Sequence, residues 1–109
     1  MDNAFEERKK KHEDKWAHDE ELRFKIGARR NKLLGLWAAA ELRLTGAVAE
    51  DYAKSVVAAD LQGGESMFSK LRADFDTAKL AHPDALIRKK MDELFVLAGE
   101  QIVNGIKSA

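Results

Sequence analysis

The chain contains no cysteine, a single proline and only 7 glycines among 109 residues. Without cysteine it cannot form disulfides, thiolate zinc sites or thiol nucleophiles, and this absence is compatible with a reducing compartment. Lysine and arginine together number 19 and are balanced by 19 aspartates and glutamates, so the formal net charge is zero. A neutral chain lacks the excess positive charge on which general binding to nucleic acid or to anionic membranes depends.

Long hydrophobic runs are also missing. No apolar run reaches the roughly 18 residues that a membrane span needs, and the charged amino terminus lacks the apolar stretch of a secretory signal. We therefore expect a cytoplasmic protein that does not insert into the membrane. A length of 109 residues fits one domain with a modest core.

The residues that are abundant, alanine, leucine, lysine and glutamate, favour helices. Helix breakers fall at Thr45-Gly46, Gly63-Gly64 and His82-Pro83-Asp84, and they separate four segments that each show helical periodicity. We predict an all-α fold, a four-helix bundle with a long first helix. Its helices are expected at about 22–44, 47–62, 65–78 and 83–107.

The N-terminal arm, residues 1–21, differs from the rest of the first segment. Phe5, His12 and Trp16 lie on a sparse stripe that is displaced by roughly 80° from the apolar stripe beginning at Leu22. Too little apolar surface precedes Leu22 to offset the entropy of ordering the chain. We expect a mobile arm that is disordered or only partly helical when free.

The polar residues of the arm favour a binding role over a metal site. His12 and His18 point in directions about 240° apart in a helix, so they cannot share an ion, and we predict no metal site. Both are candidate pH-sensing residues, with ordinary solvated histidines as the alternative. Arg8 and Lys9 belong to a basic run that neighbouring carboxylates balance. This pattern is typical of a solvated helix face that can also supply ion pairs to a docking surface.

Isolated aromatic residues are the strongest candidate anchors. Phe5 and Trp16 stand alone in the charged arm, and recognition helices often insert a few large apolar residues into a groove. Phe24 falls away from the main apolar stripe, on a face of small residues. Either a second bundle helix covers this face, which also carries Asn31 and Gly35, or Phe24 anchors a partner.

Motifs for catalysis are not apparent. The sequence shows no serine, histidine and acid cluster, no phosphate-binding glycine loop and no clearly spaced carboxylate pair. We predict no catalytic residues, no cofactor and no enzymatic activity.

A specific pattern spans the region between Lys15 and Leu61. It contains AHDEE at 17–21, FK at 24–25 and ARRNKLLGLWAA at 28–39, followed by TG, YAK and AD, with IR, KM and QI further on. This pattern resembles the zeta subunit family, the F1-ATPase inhibitor proteins of the alphaproteobacterial F1FO-ATP synthase.

The resemblance implies a four-helix protein whose mobile arm enters a catalytic alpha/beta interface of F1, becomes helical there and blocks rotary ATP hydrolysis. It implies the F1 alpha, beta and gamma subunits as partners, no nucleic acid, a monomer when free, and a peripheral position at the inner membrane when bound. The expected partner-binding residues are Phe5, Arg8, Lys9, His12, Trp16, His18, Glu20 and Phe24. Two alternatives stay open: a helical binding or adaptor module for another protein partner, and a regulator that responds to a small ligand or nucleotide.

Overall fold

A computed structural model describes residues 3–16 and 18–105 of the chain. Over these residues it is all-helical and contains five helices and no strand. The prediction of an all-α protein is therefore confirmed. The helices are α1 (Asn3–Trp16), α2 (Glu20–Glu41), α3 (Gly46–Asp60), α4 (Ser66–Thr77) and α5 (Asp84–Val103).

The prediction of a four-helix bundle with a long first helix is wrong. The first helix, α1, has 14 residues, and the 22-residue α2 is the longest. The chain breaks between them because Asp19 has an extended backbone (φ −126°, ψ 100°) and its carboxylate accepts a hydrogen bond from the backbone N–H of Leu22 at 2.9 Å. An aspartate in this position is an N-cap, so it starts a new helix rather than continuing the preceding one.

Helices α2 to α5 end before the expected bounds: α2 at Glu41, α3 at Asp60, α4 at Thr77 and α5 at Val103. Arg43 adopts a left-handed φ of 63°, and the N–H of Leu44 donates to the carbonyl of Ala39 at 2.9 Å, so α2 ends at Glu41. This bond satisfies a carbonyl of the last helical turn, as a Schellman-type ending does. Predicted helix residues from Ile106 onward lie outside the described residues.

The main core is formed by α2, α3, α4 and α5, which together we call the helical body. At one crossing, α2 and α3 approach closely because Gly35 has no side chain: a Cβ there would lie 2.7 Å from the Cα of Ala53. Small residues allow such close helix packing. The fully enclosed residues of the main core are Leu34, Ala38, Val56, Met67, Leu71, Phe75 and Ile87.

A second, smaller cluster joins α1 to the helical body. Buried Trp16 from α1 meets Ile26 of α2 and Ala98 of α5, with Leu22, Leu33, Phe95 and Ile102 packed around them. The described part of the arm is thus a helix lying against α5, and the expected disorder is not confirmed. The apolar surface that the arm lacks in its own sequence is supplied by α2 and α5.

Candidate partner-binding surface

One face of α1 carries the two large apolar residues of the arm. Phe5 and Trp16 are 8% and 2% exposed. They are separated by close to three helical turns, so both point to the same side of the helix. The opposite side carries charged residues that stay exposed, including Glu7, Lys10 and Lys11. Helix α1 is therefore amphipathic in the sense expected of a docking helix.

Trp16 occupies a notch that exists because residue 99 is glycine. A Cβ on Gly99 would overlap three atoms of the Trp16 ring, at separations that no real contact allows. The indole also stacks on His12, with ring centroids 4.5 Å apart and planes 3° from parallel. Its edge meets Phe95 at a centroid separation of 6.0 Å. Aromatic pairs in these arrangements add to the stabilisation from burial.

Charged pairs connect the arm to α5 around this notch. Arg8 donates two hydrogen bonds to the carboxylate of Glu100, one of them from Nε to Oε2 at 3.0 Å. His12 Nε2 lies 3.0 Å from the same Oε2, and Lys9 Nζ lies 3.0 Å from Asp92 Oδ2. The bonds from Arg8 hold the pKa of Glu100 below its ordinary value, against the opposing effect of desolvation, and His12 adds to this lowering. A bidentate charged pair thus orients the arm on α5, although exposure of Arg8 to water limits its contribution to stability.

Phe24 lies on α2 just beyond the junction and is 78% exposed. The face that Phe24 shares with Asn31 and Gly35 is covered by α3 at its far end, where Asn31 bonds to Asp60 and Gly35 meets Ala53, but no helix of the described residues covers Phe24 itself. An open hollow beside it is lined by Glu20, Arg23, Phe24, Gly27, Arg30 and Phe95. An exposed aromatic ring next to charged side chains is typical of a protein contact surface.

Arg30 forms the inner wall of this hollow. Its guanidinium carbon lies 5.8 Å from the centre of the Phe95 ring, and its Nε donates to Asn31 Oδ1 at 2.8 Å. Burial lowers the pKa of Arg30 from its ordinary value, while Asp60 and Asp92 act in the opposite direction. Asn31 in turn donates to Asp60 at 2.8 Å, which fixes the network across α2 and α3.

The structure separates the eight predicted binding residues into two groups. Four of them contact α5, namely Arg8, Lys9, His12 and Trp16, and Phe5 is buried on the same side of α1. His18 and Glu20 are exposed at the junction, and Phe24 is exposed on α2. Both predicted pH-sensing residues are described, and of these only His12 has a carboxylate neighbour at ion-pair distance within the described residues.

Sequence reasoning missed the residues of α5 that receive the arm, namely Asp92, Phe95, Gly99 and Glu100. A signal for them exists, because Asp92 and Glu100 are two helical turns apart on an otherwise mainly apolar helix end. Nothing in the sequence links that pair to Arg8 and Lys9, since the contact is made only by the tertiary fold.

Two other features are absent from the part of the chain that the structure describes, a metal-binding cluster and a membrane-spanning helix. No three histidine, aspartate or glutamate side chains there are grouped to hold a metal ion. None of the described helices is both long enough and apolar enough to cross a membrane.

An amphipathic arm docked on a helical body, with an exposed aromatic ring beside the junction, is typical of an all-helical protein that acts by binding another protein. Comparison of the sequence with known protein families identifies the family of this chain. The family model described as ATPase inhibitor subunit zeta matches residues 1–101, and the chain belongs to this family. The match covers α1 and nearly all of α5, and it confirms the resemblance drawn from the residue pattern. No curated protein matches the chain by sequence.

Proposed function

We propose that the chain inhibits the F1FO-ATP synthase by inserting its arm as a helix into a catalytic alpha/beta interface of F1, where it blocks rotary ATP hydrolysis. The observation that carries the proposal is α1 itself: a helix with two large apolar anchors, Phe5 and Trp16, that contributes no residue to the main core. The partners are the alpha, beta and gamma subunits of F1, and the free protein is a monomer that becomes peripheral at the inner membrane on binding.

The separation of α1 from the main core supports this division of roles. All seven enclosed residues of the main core come from the helical body. The helical body can therefore keep its fold while α1 occupies a site on another protein. A folded body at the mouth of an F1 interface acts as a bulky stop that limits how far the arm enters.

The charged residues of the arm are suited to orienting it on F1 more than to raising its affinity for F1. Exposed charged pairs contribute little stability, but they raise association rates and select a docking direction. Arg8, Lys9 and His12 provide positive or titratable groups on one side of α1, and Glu7 and Lys10 alternate on the exposed side. Affinity then depends on the buried aromatic anchors, as in most protein interfaces.

The test compares the full chain with a variant lacking Met1 through Ala17, each added to purified F1 from the same source. The full chain should inhibit ATP hydrolysis, and the truncated chain should not. Far-UV circular dichroism and thermal unfolding should show that the truncated chain keeps the helical body, with a modest loss of stability from the second cluster. Equal inhibition by both proteins contradicts insertion of the arm, and failure of the full chain to bind or inhibit F1 rejects the function altogether.

A further inference from the structure

We propose that the docked arm is a self-masked resting state: α5 covers the same face of α1 that F1 takes, so the protein inhibits only after the arm has left α5. This inference rests on the proposed function. Its basis is that the anchors Phe5 and Trp16 are already buried inside the free protein. One helix face cannot fill a groove in F1 and the notch at Gly99 at the same time.

The polar contacts of the arm are occupied in the same way. Glu100 binds Arg8 and lies within ion-pair distance of His12, and Asp92 binds Lys9. Helix α5 thus presents two carboxylates to the basic side chains that are expected to steer the arm toward its partner. Docking therefore buries the apolar anchors and also pairs the basic side chains of the arm with carboxylates of α5.

Release of the arm is facilitated by imperfections in its docking. The indole Nε1 of Trp16 is buried without a hydrogen-bond partner among the described residues. An unpaired buried donor is unfavourable, and undocking restores its hydrogen bond to water. The side chains of Arg8 and Asp92 are 48% and 53% exposed, so water and salt weaken the charged pairs around the notch.

The consequence for inhibition is a reduced apparent affinity. When only the undocked form binds, the apparent dissociation constant equals the intrinsic constant divided by the undocked fraction. Any change that holds the arm on α5 should weaken inhibition, and any change that displaces Trp16 should strengthen it.

The first experiment locks the arm in place. Because the chain has no cysteine, the double variant Lys9→Cys with Asp92→Cys can be joined specifically by a thiol-reactive cross-linker whose spacer contains a cleavable disulfide. Half-inhibition of F1 should need at least about tenfold more of the cross-linked protein than of the same variant before cross-linking, since cross-linking removes the undocked fraction. Cleavage of the spacer should restore the inhibition given by the same double variant before cross-linking.

The second experiment displaces the arm. In a Trp37→Phe background, Trp16 is the sole tryptophan, and its quenching by acrylamide reports docking. Gly99→Ala should raise this quenching severalfold, because the added Cβ clashes with the indole. Gly27→Ala is the matched control for quenching, since a Cβ at that position meets nothing within 4 Å. The Gly99→Ala protein should also inhibit F1 at lower concentration than its Trp37→Phe parent.

The outcomes separate the inference from the function on which it rests. If cross-linked and cleaved proteins inhibit F1 equally, the function stands and self-masking is wrong. If Gly99→Ala leaves quenching unchanged, the arm does not dock in the notch and self-masking is also wrong. If neither the parent chain nor any variant inhibits F1, the proposed function fails and the inference is rejected with it.

Discussion

Phe24 leaves 78% of its surface in solvent, although burial of a side chain of this size is worth about 1.5 to 3 kcal/mol. Truncation of Phe24 should therefore leave the free protein as stable as before. Under the proposed function, Phe24→Ala should weaken inhibition of F1 by about 30-fold, corresponding to roughly 2 kcal/mol for an anchor residue. Inhibition curves with F1 measure the loss of inhibition, and urea unfolding measures the free energy of unfolding.

The matched control is Leu61→Ala. Leu61 is also a large apolar side chain, 83% exposed, but it lies beyond the end of α3 and is not among the residues that line the hollow beside Phe24. Its truncation should change neither stability nor inhibition. Equal effects of the two variants on inhibition contradict a specific contact at Phe24.

Gly35 shows how a single residue sets the packing of two helices. An alanine there would place its Cβ 2.7 Å from the Cα of Ala53, a backbone atom that cannot move aside without shifting α3. We expect Gly35→Ala to lower the free energy of unfolding by about 1 to 3 kcal/mol, despite the higher helix propensity of alanine.

A comparison with Gly27 isolates the packing effect. Gly27 is also helical, but a methyl group added there would meet nothing within 4 Å. Gly27→Ala should therefore raise the free energy of unfolding by up to about 1 kcal/mol. Urea unfolding of both variants measures the difference, and stabilisation by Gly35→Ala shows that the crossing of α2 and α3 is looser than described.

At the level of helices, the junction between α1 and α2 depends on one side chain. The carboxylate of Asp19 accepts a hydrogen bond from the N–H of Leu22 and starts α2. Asp19→Ala should lower the free energy of unfolding by about 1 kcal/mol, whereas Asp19→Asn should change it by much less, because asparagine also caps helices well. Urea unfolding distinguishes them, and equal losses for both variants point to the charge of Asp19 rather than its capping.

The helices of the body were predictable from sequence, and their relation to the arm was not. Periodic apolar residues such as Val56, Phe75 and Ile87 identify three helices, and all three lie in the main core. The break before α2 has a local signal, since Asp19 precedes two glutamates in a pattern typical of a helix start. The predicted boundary falls at residue 22, two residues after α2 begins, because the apolar periodicity becomes regular only from Leu22.

Of the candidate site, the residues of the arm were predictable from sequence, and the residues of α5 that receive the arm were not. Phe5 and Trp16 are conspicuous in sequence because they stand alone among charges, and both are buried in the structure. Their receptor on α5 was hidden because Gly99 gives no local indication of a notch. A glycine inside an apolar helix is explained only when the residue that approaches it is known.

For the molecule as a whole, the docking of the arm should depend on pH through Glu100. Arg8 and His12 of α1 face its carboxylate, and Lys9 forms a neighbouring charged pair with Asp92. Docking lowers the pKa of Glu100 below its ordinary value. The resulting stabilisation is fully present above the ordinary glutamate pKa of about 4.3 and is lost as the pH falls through the lowered value.

Acid should therefore release the arm before it unfolds the helical body, whose main core contains no ionisable side chain. In the Trp37→Phe background, acrylamide quenching of Trp16 should rise as the pH falls below about 4, while far-UV circular dichroism still reports a folded helical body. Glu100→Gln should weaken docking at neutral pH and reduce this acid-dependent rise, because the amide does not titrate. If quenching rises with acid equally in Glu100→Gln, other carboxylates cause the acid response and the contact between Glu100 and Arg8 does not.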